Sequence, residues 1–591
     1  MSDRATFALA LAVCAGAWWS APVPLVAAAA VVAVALVARR PVVLVVGGAL
    51  LASALGARAD AGLVPPSRPE AVAGEVLVLS DPVDVGGAIK LDVGLGDRRV
   101  EAWARGQPAS VLRPLLAGER VVVRGRLTPP PPEARPWLAR RHVSARLSVD
   151  EAGPTRPGSV ASRAANGLRR TLVRGARPLD TEERALLTGF VLGDDRDQSV
   201  AVADDFRAAG LTHLLAVSGQ NVAFVLVLAG PLLRRLGLRG RWAVSLGVIA
   251  FFGLVTRWEP SVLRASAMAA LACTATGLGR PAPRRRLLAL AVAGVVLVDP
   301  LLVRSVGFQL SVGACAGIIA LAGPLTRRLP GPRWLAEVLA VTLSAQVGVA
   351  PVLVPVFGGL PVASVPANLL AVPAAGPLMV WGLTAGSAAG VLGPPADGLL
   401  HLPTSWLVAW VAGVARWAAA LPLGRIETPH LAALVAVAAG TALAWRRRPS
   451  FAVAAGTLVA AGVVLAPSLA LALPSPLPSA VEPARGSELW RDGGVVLVLD
   501  DADGASLLDG LRAEGVVRLD VVVAERGSST VAATVLLLRS RLAVGVVLAP
   551  EGHRIRDAHV PAEGGVAQVG GLEIRVGQTR STLEVEISHR E

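Results

Sequence analysis

The chain is 591 residues long, 53% hydrophobic and only 17% charged, with a formal net charge of +14. So little charge over that length excludes an ordinary soluble protein, and repeated apolar runs of about 15–25 residues point to a chain that crosses a membrane many times. The positive excess is almost all arginine, with Lys90 the single lysine. It reads mainly as a genomic bias; it also suits anionic lipid or nucleic acid, and charge alone does not separate these.

Three short apolar runs, near 5–19, 23–38 and 41–57, open the chain and make 1–60 an N-terminal set of spans. The first has the look of a signal peptide, but two more apolar runs follow at once, so it reads as an uncleaved span. Arg39-Arg40 lies between the second and third runs, which puts that loop and the N-terminus in the cytoplasm by the positive-inside rule.

Residues 61–155 change character. VAGEVLVLSDPV, AIKLDVGL, RRVEAWAR, ERVVVRGRLT and HVSARLSVD are short, β-branched runs punctuated by Gly, Pro and Asp. About five such strands fit a small external β-barrel of the OB-like kind. The PPPP at 129–132 belongs to a loop or an edge. Residues 156–208 read as amphipathic helices, with Asp180 or Thr181 as a cap ahead of Glu182 and Glu183. Such a helix would lie on the membrane surface or form a soluble connecting hairpin.

Ten further spans follow within 209–473, near 211–233, 242–257, 260–279, 287–303, 305–323, 334–357, 361–391, 399–421, 430–445 and 450–472. With them the count is about 13, and the basic loops RRLGLRGR, RPAPRRR, TRRLPGPR and RRRP all fall on the cytoplasmic side. Residues 361–391 carry Pro366, Pro373, Gly376 and Pro377 and read as two half-spans or a re-entrant segment. A Pro/Ser linker, 474–484, leads to 485–591, where VVLVLD, LDVVVA and VGVVLAP alternate with helix-like stretches in a small external α/β domain. The fold class is thus a polytopic α-helical membrane protein of about 13 spans with an external OB-like β domain and a short C-terminal α/β domain.

Polar side chains at membrane depth are costly and tend to face a cavity or each other. They cluster here at His213, Ser218, Gln220 and Asn221; at Glu259, Ser261 and Arg264; at Asp299, Arg304 and Gln309; at Ser344 and Gln346; and at Asn368. Each cluster sits beside Gly or Pro, where helices break. The bland alternative is that Ser, Asn and Gln simply hold helices together, and that Arg264 pairs with Glu259. In a continuous helix His213 and Gln220 would share one face, with Asn221 about 100° round. The three cysteines, Cys14, Cys273 and Cys315, lie apart in apolar runs, with no disulfide or zinc spacing.

GLTHLLAVSGQNVAFVL resembles the signature of ComEC-type competence proteins, membrane channels for DNA uptake. LLTGFVLGDDRDQSVAVADDFRAAG, PSVLRASAMAALA, DPLLVRSVGFQLSVGACAGIIAL and VPVFGGLPVASVPANLLAVP occur in that family's order. The resemblance covers about 180–380 and implies translocation of single-stranded DNA through the membrane into the cytoplasm, in transformation. Gln220-Asn221 stands where the family often has Leu-His, so no proton role carries over to that pair.

A pathway for phosphates needs hydrogen-bond donors and few fixed charges. His213, Ser218, Gln220, Asn221, Arg264, Gln309, Gln346 and Asn368 are the expected pathway residues. Trp103, Arg98, Arg105 and Arg140 are the expected DNA contacts of the β domain, with Trp137, Arg99 and Arg141 beside them.

The tail resembles the start of a metallo-β-lactamase-like fold. Its metal loop would fall at AERGSST, 524–530, which holds neither His nor Asp. His553, Asp557 and His559 are the nearest approach to a metal set. A degenerate, non-catalytic domain is expected, with no cofactor and no metal. The implied partners are DNA and the lipid bilayer. A DNA receptor outside, a cytoplasmic ATPase and an oligomer stay open, and no Walker A string is present. The competing functions are a membrane-anchored nuclease and a transporter of another solute.

Overall fold

A computed structural model describes residues 2–445, 449–472, 479–577 and 582–589. Parts of the RRRP loop and of the Pro/Ser linker lie outside them. Six helices are long and apolar enough to cross a membrane: Pro41–Ala61, Leu238–Val255, Val306–Thr326, Arg333–Phe357, Ser364–Leu392 and Ala396–Ala419. Shorter apolar helices include Leu25–Val37, Gly219–Leu228, Thr428–Ala444 and Ala455–Leu469. The protein is a helical membrane protein with six candidate spans among the described residues.

Three boundaries differ from the sequence reading. The run 211–233 is not one span but three pieces, Thr212–Leu215, Gly219–Leu228 and Gly230–Arg234. The run 287–303 is the Arg284–Val298 helix followed by a 3-10 turn, Pro300–Arg304. Conversely, 361–391 does not break: Ser364–Leu392 is continuous through Pro373 and Pro377. Each proline removes one ladder bond, which membrane helices tolerate where neighbours re-satisfy the freed carbonyl.

The chain divides into two compact units. The first holds Met1–Asp197, His213–Val352 and Leu369–Val411; the second holds Gln198–Thr212, Leu353–Asn368 and Ala412–Glu591.

In the first unit, Asp3–Trp19 packs so closely on Pro41–Ala61 that a Cβ on Gly16 would stand 2.1 Å from the Ala49 carbonyl oxygen. Val13, Ala17 and Ala52 share a core with Leu288, Val292, Val296 and Phe308. The β region forms a sheet from β1 (Glu70–Val78), β2 (Val83–Val85), β3 (Ala88–Leu95), β4 (Arg98–Ala104), β5 (Arg120–Thr128) and β6 (Val143–Arg156). Its order is β1-β5-β6-β4-β3-β2, and β1 also pairs with β3. Only β4 and β6 run parallel. Val76, Ile89, Leu91, Val100, Val121, Val123 and Leu147 alternate inward and fill the centre. PPPP lies between β5 and β6, outside the strands.

The helix Val160–Gly175 buries one face, Ala165, Asn166, Arg169 and Leu172, and exposes the other, as its Arg/Leu pattern suggests. Asn166 and Arg169 are buried, and a Cβ on Gly175 would stand 2.3 Å from the Gly386 carbonyl oxygen. Asp180 caps the next helix, Thr181–Leu192, by accepting from the Glu183 N–H.

Arg169, 3% exposed, binds four oxygens. Nη1 donates to the Leu192 and Val255 carbonyls at 3.2 and 2.8 Å; Nη2 donates to Asp81 and Asp194 at 2.8 and 2.9 Å. Arg257 grips Asp81 with Nε and Nη2, and Arg196 grips Asp194 in the same manner. Asp81 lies in the β1–β2 loop, so this network ties the β region to three helical segments. Burial by itself pushes both carboxyls up. Arg169 and Arg257 at Asp81, and Arg196 and Arg169 at Asp194, more than offset it and hold both below the usual carboxylate range.

In the second unit, strands run in the order Ala543–Leu548, Arg518–Ala524, Val495–Leu499, Ser487–Arg491, Ser479–Val481. The first three are parallel, with helices Gly504–Ala513 and Ser529–Arg541 as crossovers. A second antiparallel sheet, Val566–Val569, Leu572–Val576 and Val585–His589, contributes Leu572 and Ile574 to a core with Val496, Val498, Val521 and Val523. Arg512 forks onto the buried Asp204 at 2.7 and 2.5 Å, and Arg541 pairs with Asp205 at 2.9 Å.

Arg169→Ala strips two buried carboxylates of a shared cation and is expected to destabilise the protein by about 3–5 kcal/mol, read as a lower thermal midpoint in detergent. Carboxylates whose folded pKa is depressed add stability above their unfolded value of about 3.9, and lose it as pH falls through the folded value. Stability should therefore drop below about pH 4, with a shallower drop in Asp81→Asn. Identical acid profiles for the two proteins would refute this assignment.

Candidate functional site

The first unit interrupts its most polar apolar run at residues 216–218. Thr212–Leu215 ends, three residues run free of helix, and Gly219–Leu228 begins. Ser218 is the cap: its extended backbone (φ −100°) turns Oγ to accept from the Gln220 N–H at 3.3 Å. The same Oγ donates to Asn221 Oδ1 at 3.2 Å, and Asn221 Nδ2 donates to the buried Phe190 carbonyl at 3.3 Å. Ser261 Oγ donates to the Val217 carbonyl at 2.5 Å. The polar residues of the break thus hold the freed backbone in place.

Arg264, 6% exposed, stands beside the break. Its Nε donates to Ser311 Oγ at 2.8 Å, and Nη1 points at the weak acceptor Met268 Sδ at 3.4 Å. A Cβ on Gly219 would lie 3.1 Å from Arg264 Nη2 and 2.9 Å from Ala265 Cβ. The expected alternative, pairing with Glu259, does not occur: among the described residues no carboxylate forms an ion pair with Arg264.

The structure therefore brings Ser218, Asn221 and Arg264 together. It does not place His213 and Gln220 on one helical face, because the helix that would align them is broken between them. Both are exposed. Gln309 Nε2 donates to the Val303 carbonyl at 2.8 Å, securing a 3-10 turn. Gln346 is half-buried on Arg333–Phe357. Asn368, in the second unit, donates to the Ser364 carbonyl of its own helix at 2.7 Å. Sequence reasoning missed Ser311 and the role of Gly219. It also missed the Arg169 network, whose two acids, Asp81 and Asp194, lie in loops far apart in sequence.

On the β region, β3–β4 register sets Lys90 opposite Trp103 and Asp92 opposite Glu101. Lys90 Nζ lies 5.9 Å from the Trp103 ring centre and 5.5 Å from that of Trp137. Arg146 stacks on Trp103 at 5.5 Å and Arg141 on Trp137 at 4.5 Å. Buried Asp92 and Glu101 hold this layer: Asp92 accepts from Arg99 and Arg141, and Glu101 from Trp103 Nε1 and Arg146. Arg98, Arg105 and Arg140 are exposed and form no ion pair among the described residues. The aromatic–cation layer is thus Lys90, Trp103, Trp137, Arg141 and Arg146 rather than those three arginines.

In the tail, His553 Nδ1 accepts from the Ile555 N–H at 3.2 Å. Among the described residues no group of three or more His, Cys, Asp or Glu could hold a metal ion.

An interrupted helix among long apolar helices defines a membrane protein with a built polar break. Residues 190–448 match the family model Competence protein, so this membrane segment is a competence-family segment, of the ComEC type read from its motifs. The uncharacterized protein YcaI of Escherichia coli (strain K12) is 30% identical over 206 residues, 32% of this chain and 27% of that protein. ComE operon protein 3 of Bacillus subtilis (strain 168) is 27% identical over 217 residues, 36% of this chain and 27% of its own length. Competence protein ComA of Neisseria gonorrhoeae is 30% identical over 203 residues, 32% of this chain and 28% of its own. The chain thus spans just over a quarter of the length of these curated relatives. No solved structure matches it.

Asn221→Ala leaves the buried Phe190 carbonyl without its donor and is expected to cost about 1–3 kcal/mol of stability. Gln220→Ala, at an exposed side chain, should cost within about 0.5 kcal/mol. Thermal midpoints in detergent compare the two, and equal losses would contradict the asymmetry.

Proposed function

We propose that this chain passes one strand of DNA across the cell membrane into the cytoplasm during uptake. The observation that carries the reading is the helix break at 216–218, with buried Arg264 beside it, inside the competence-family segment. Helix ends at a discontinuous membrane helix are where membrane proteins meet charged cargo. Two relatives bear competence names, which supports a role in the same process.

The finer architecture belongs to the same reading. The span count of about 13, with the N-terminus cytoplasmic, rests on the basic loops. The pairing ring β1-β5-β6-β4-β3-β1, with parallel β4 and β6, supports an OB-like barrel outside the membrane. Its tryptophan–cation layer suits stacking of single-stranded bases. The tail reads as a degenerate metallo-β-lactamase-like domain without catalysis, for want of His and Asp at AERGSST. A receptor outside and a cytoplasmic ATPase would complete the machinery.

Deleting the gene from its host should abolish transformation and reduce uptake of labelled DNA at least tenfold, and normal uptake would refute the channel reading. Metal-dependent cutting of DNA by the purified chain with Mn²⁺ or Zn²⁺ would favour the membrane-anchored nuclease instead. The double change Trp103→Ala, Trp137→Ala should weaken single-strand binding by the full chain about tenfold or more, at roughly 1–3 kcal/mol per stacked base. Fluorescence anisotropy with a labelled oligonucleotide reads this out.

A further inference from the structure

Arg264 is a buried cation without a counter-charge among the described residues. Nε and Nη1 are occupied by Ser311 and Met268, both neutral. Nη2, with two N–H groups, has no hydrogen-bond partner among the described residues. It faces the start of the ten-residue helix Gly219–Leu228, whose first residue has no side chain. A guanidinium and the N-terminus of a helix, capped by Ser218 at the Gln220 N–H, therefore stand side by side. Hydrocarbon alone would leave that charge uncompensated.

Gly219 is required here for a steric reason, since a Cβ would press on Ala265 and fill the space before Nη2. The charge sets the class of ligand. One guanidinium matches the single negative charge of a phosphodiester, and the helix end adds about +0.5 elementary charge. A lone site with no second fixed cation among its contacts holds such a group without trapping it, as passage requires.

We propose that Arg264 Nη2 and the Gly219 end of the helix form a single phosphodiester-binding station, occupied in turn by the backbone phosphates of the passing strand. This rests on the DNA reading above. A lipid headgroup offers the same chemistry and is the competing source.

The test uses the full chain in phosphatidylcholine nanodiscs and a fluorescent single-stranded 20-mer, with binding followed against salt concentration. Arg264→Gln should raise Kd about tenfold and lower the slope of log K against log salt by about 0.7, the value of one lost phosphate contact on a single strand. Arg264→Lys keeps the charge, so its slope should match the wild type while Kd rises about threefold through loss of the planar fork. Gly219→Ala keeps every charge and should still weaken binding.

Wild-type Kd and slope in Arg264→Gln would overturn the proposal. Should that variant fail to fold, a wild-type Kd in Arg264→Lys would do the same. If exchanging half the lipid for phosphatidylglycerol erases the difference between wild type and Arg264→Gln, the station belongs to headgroups and its assignment to the strand falls. Lost uptake on gene deletion together with an unaffected Arg264→Gln would leave the channel reading standing and remove this site. Normal uptake together with an Arg264-dependent slope would do the reverse.

Discussion

One buried guanidinium holds the first unit together. Arg169 reaches two helix-end carbonyls, Leu192 and Val255, and two loop carboxylates, Asp81 and Asp194. A helix leaves its last carbonyls unpaired, and a loop carboxylate in a dry setting is expensive to ionise. Arg169 answers both needs at once, while Arg257 and Arg196 complete the two acids. The β region is therefore not a bead on a flexible string. Its β1–β2 loop is joined to the end of Leu238–Val255 and to the GDD turn after Thr181–Leu192, so the tryptophan–cation layer of the sheet keeps a set orientation to the helices behind it.

The helix break at 216–218 uses the opposite strategy. Asn221, Ser218 and Ser261 satisfy the freed backbone with short neutral contacts, and charge is withheld except for Arg264. In the Arg169 network every cation has its anion. At the break the cation has none among the described residues. That contrast distinguishes the two arginines although both are buried, and it is the ground for the proposed phosphodiester station.

Much of this was legible in the residues. Short β-branched runs punctuated by Gly, Pro and Asp announced a small β region in 61–155, and most strand edges fell within a few residues of their expected places, because strand formers and turn residues differ sharply in local preference. The tail's strand–helix order was legible for the same reason. Asp180 was readable as a cap from Glu182 and Glu183 behind it. The prolines of 364–392 misled in one direction and the unbroken look of 211–233 in the other. Local propensity marks Pro as a breaker, yet Ser364–Leu392 runs through Pro373 and Pro377 as one helix. At 216–218 Ser218 caps the new helix through that helix's own Gln220 N–H, while the contacts that fix the break, Asn221 to Phe190 and Ser261 to Val217, come from other segments.

The sequence by itself determined the apolar runs, the strand pattern and the inventory of polar side chains placed at membrane depth, since these depend on hydrophobicity and spacing along one segment. Only the tertiary structure decided which of those side chains meet. Asn221 to Phe190, Arg264 to Ser311 and Arg169 to Asp81 span 31, 47 and 88 residues. Such pairings follow from how helices and strands pack, which no window of a single segment contains. The same packing turned Gly219 from a flexible residue into the open side of a site, because what matters there is the absence of a side chain facing Arg264.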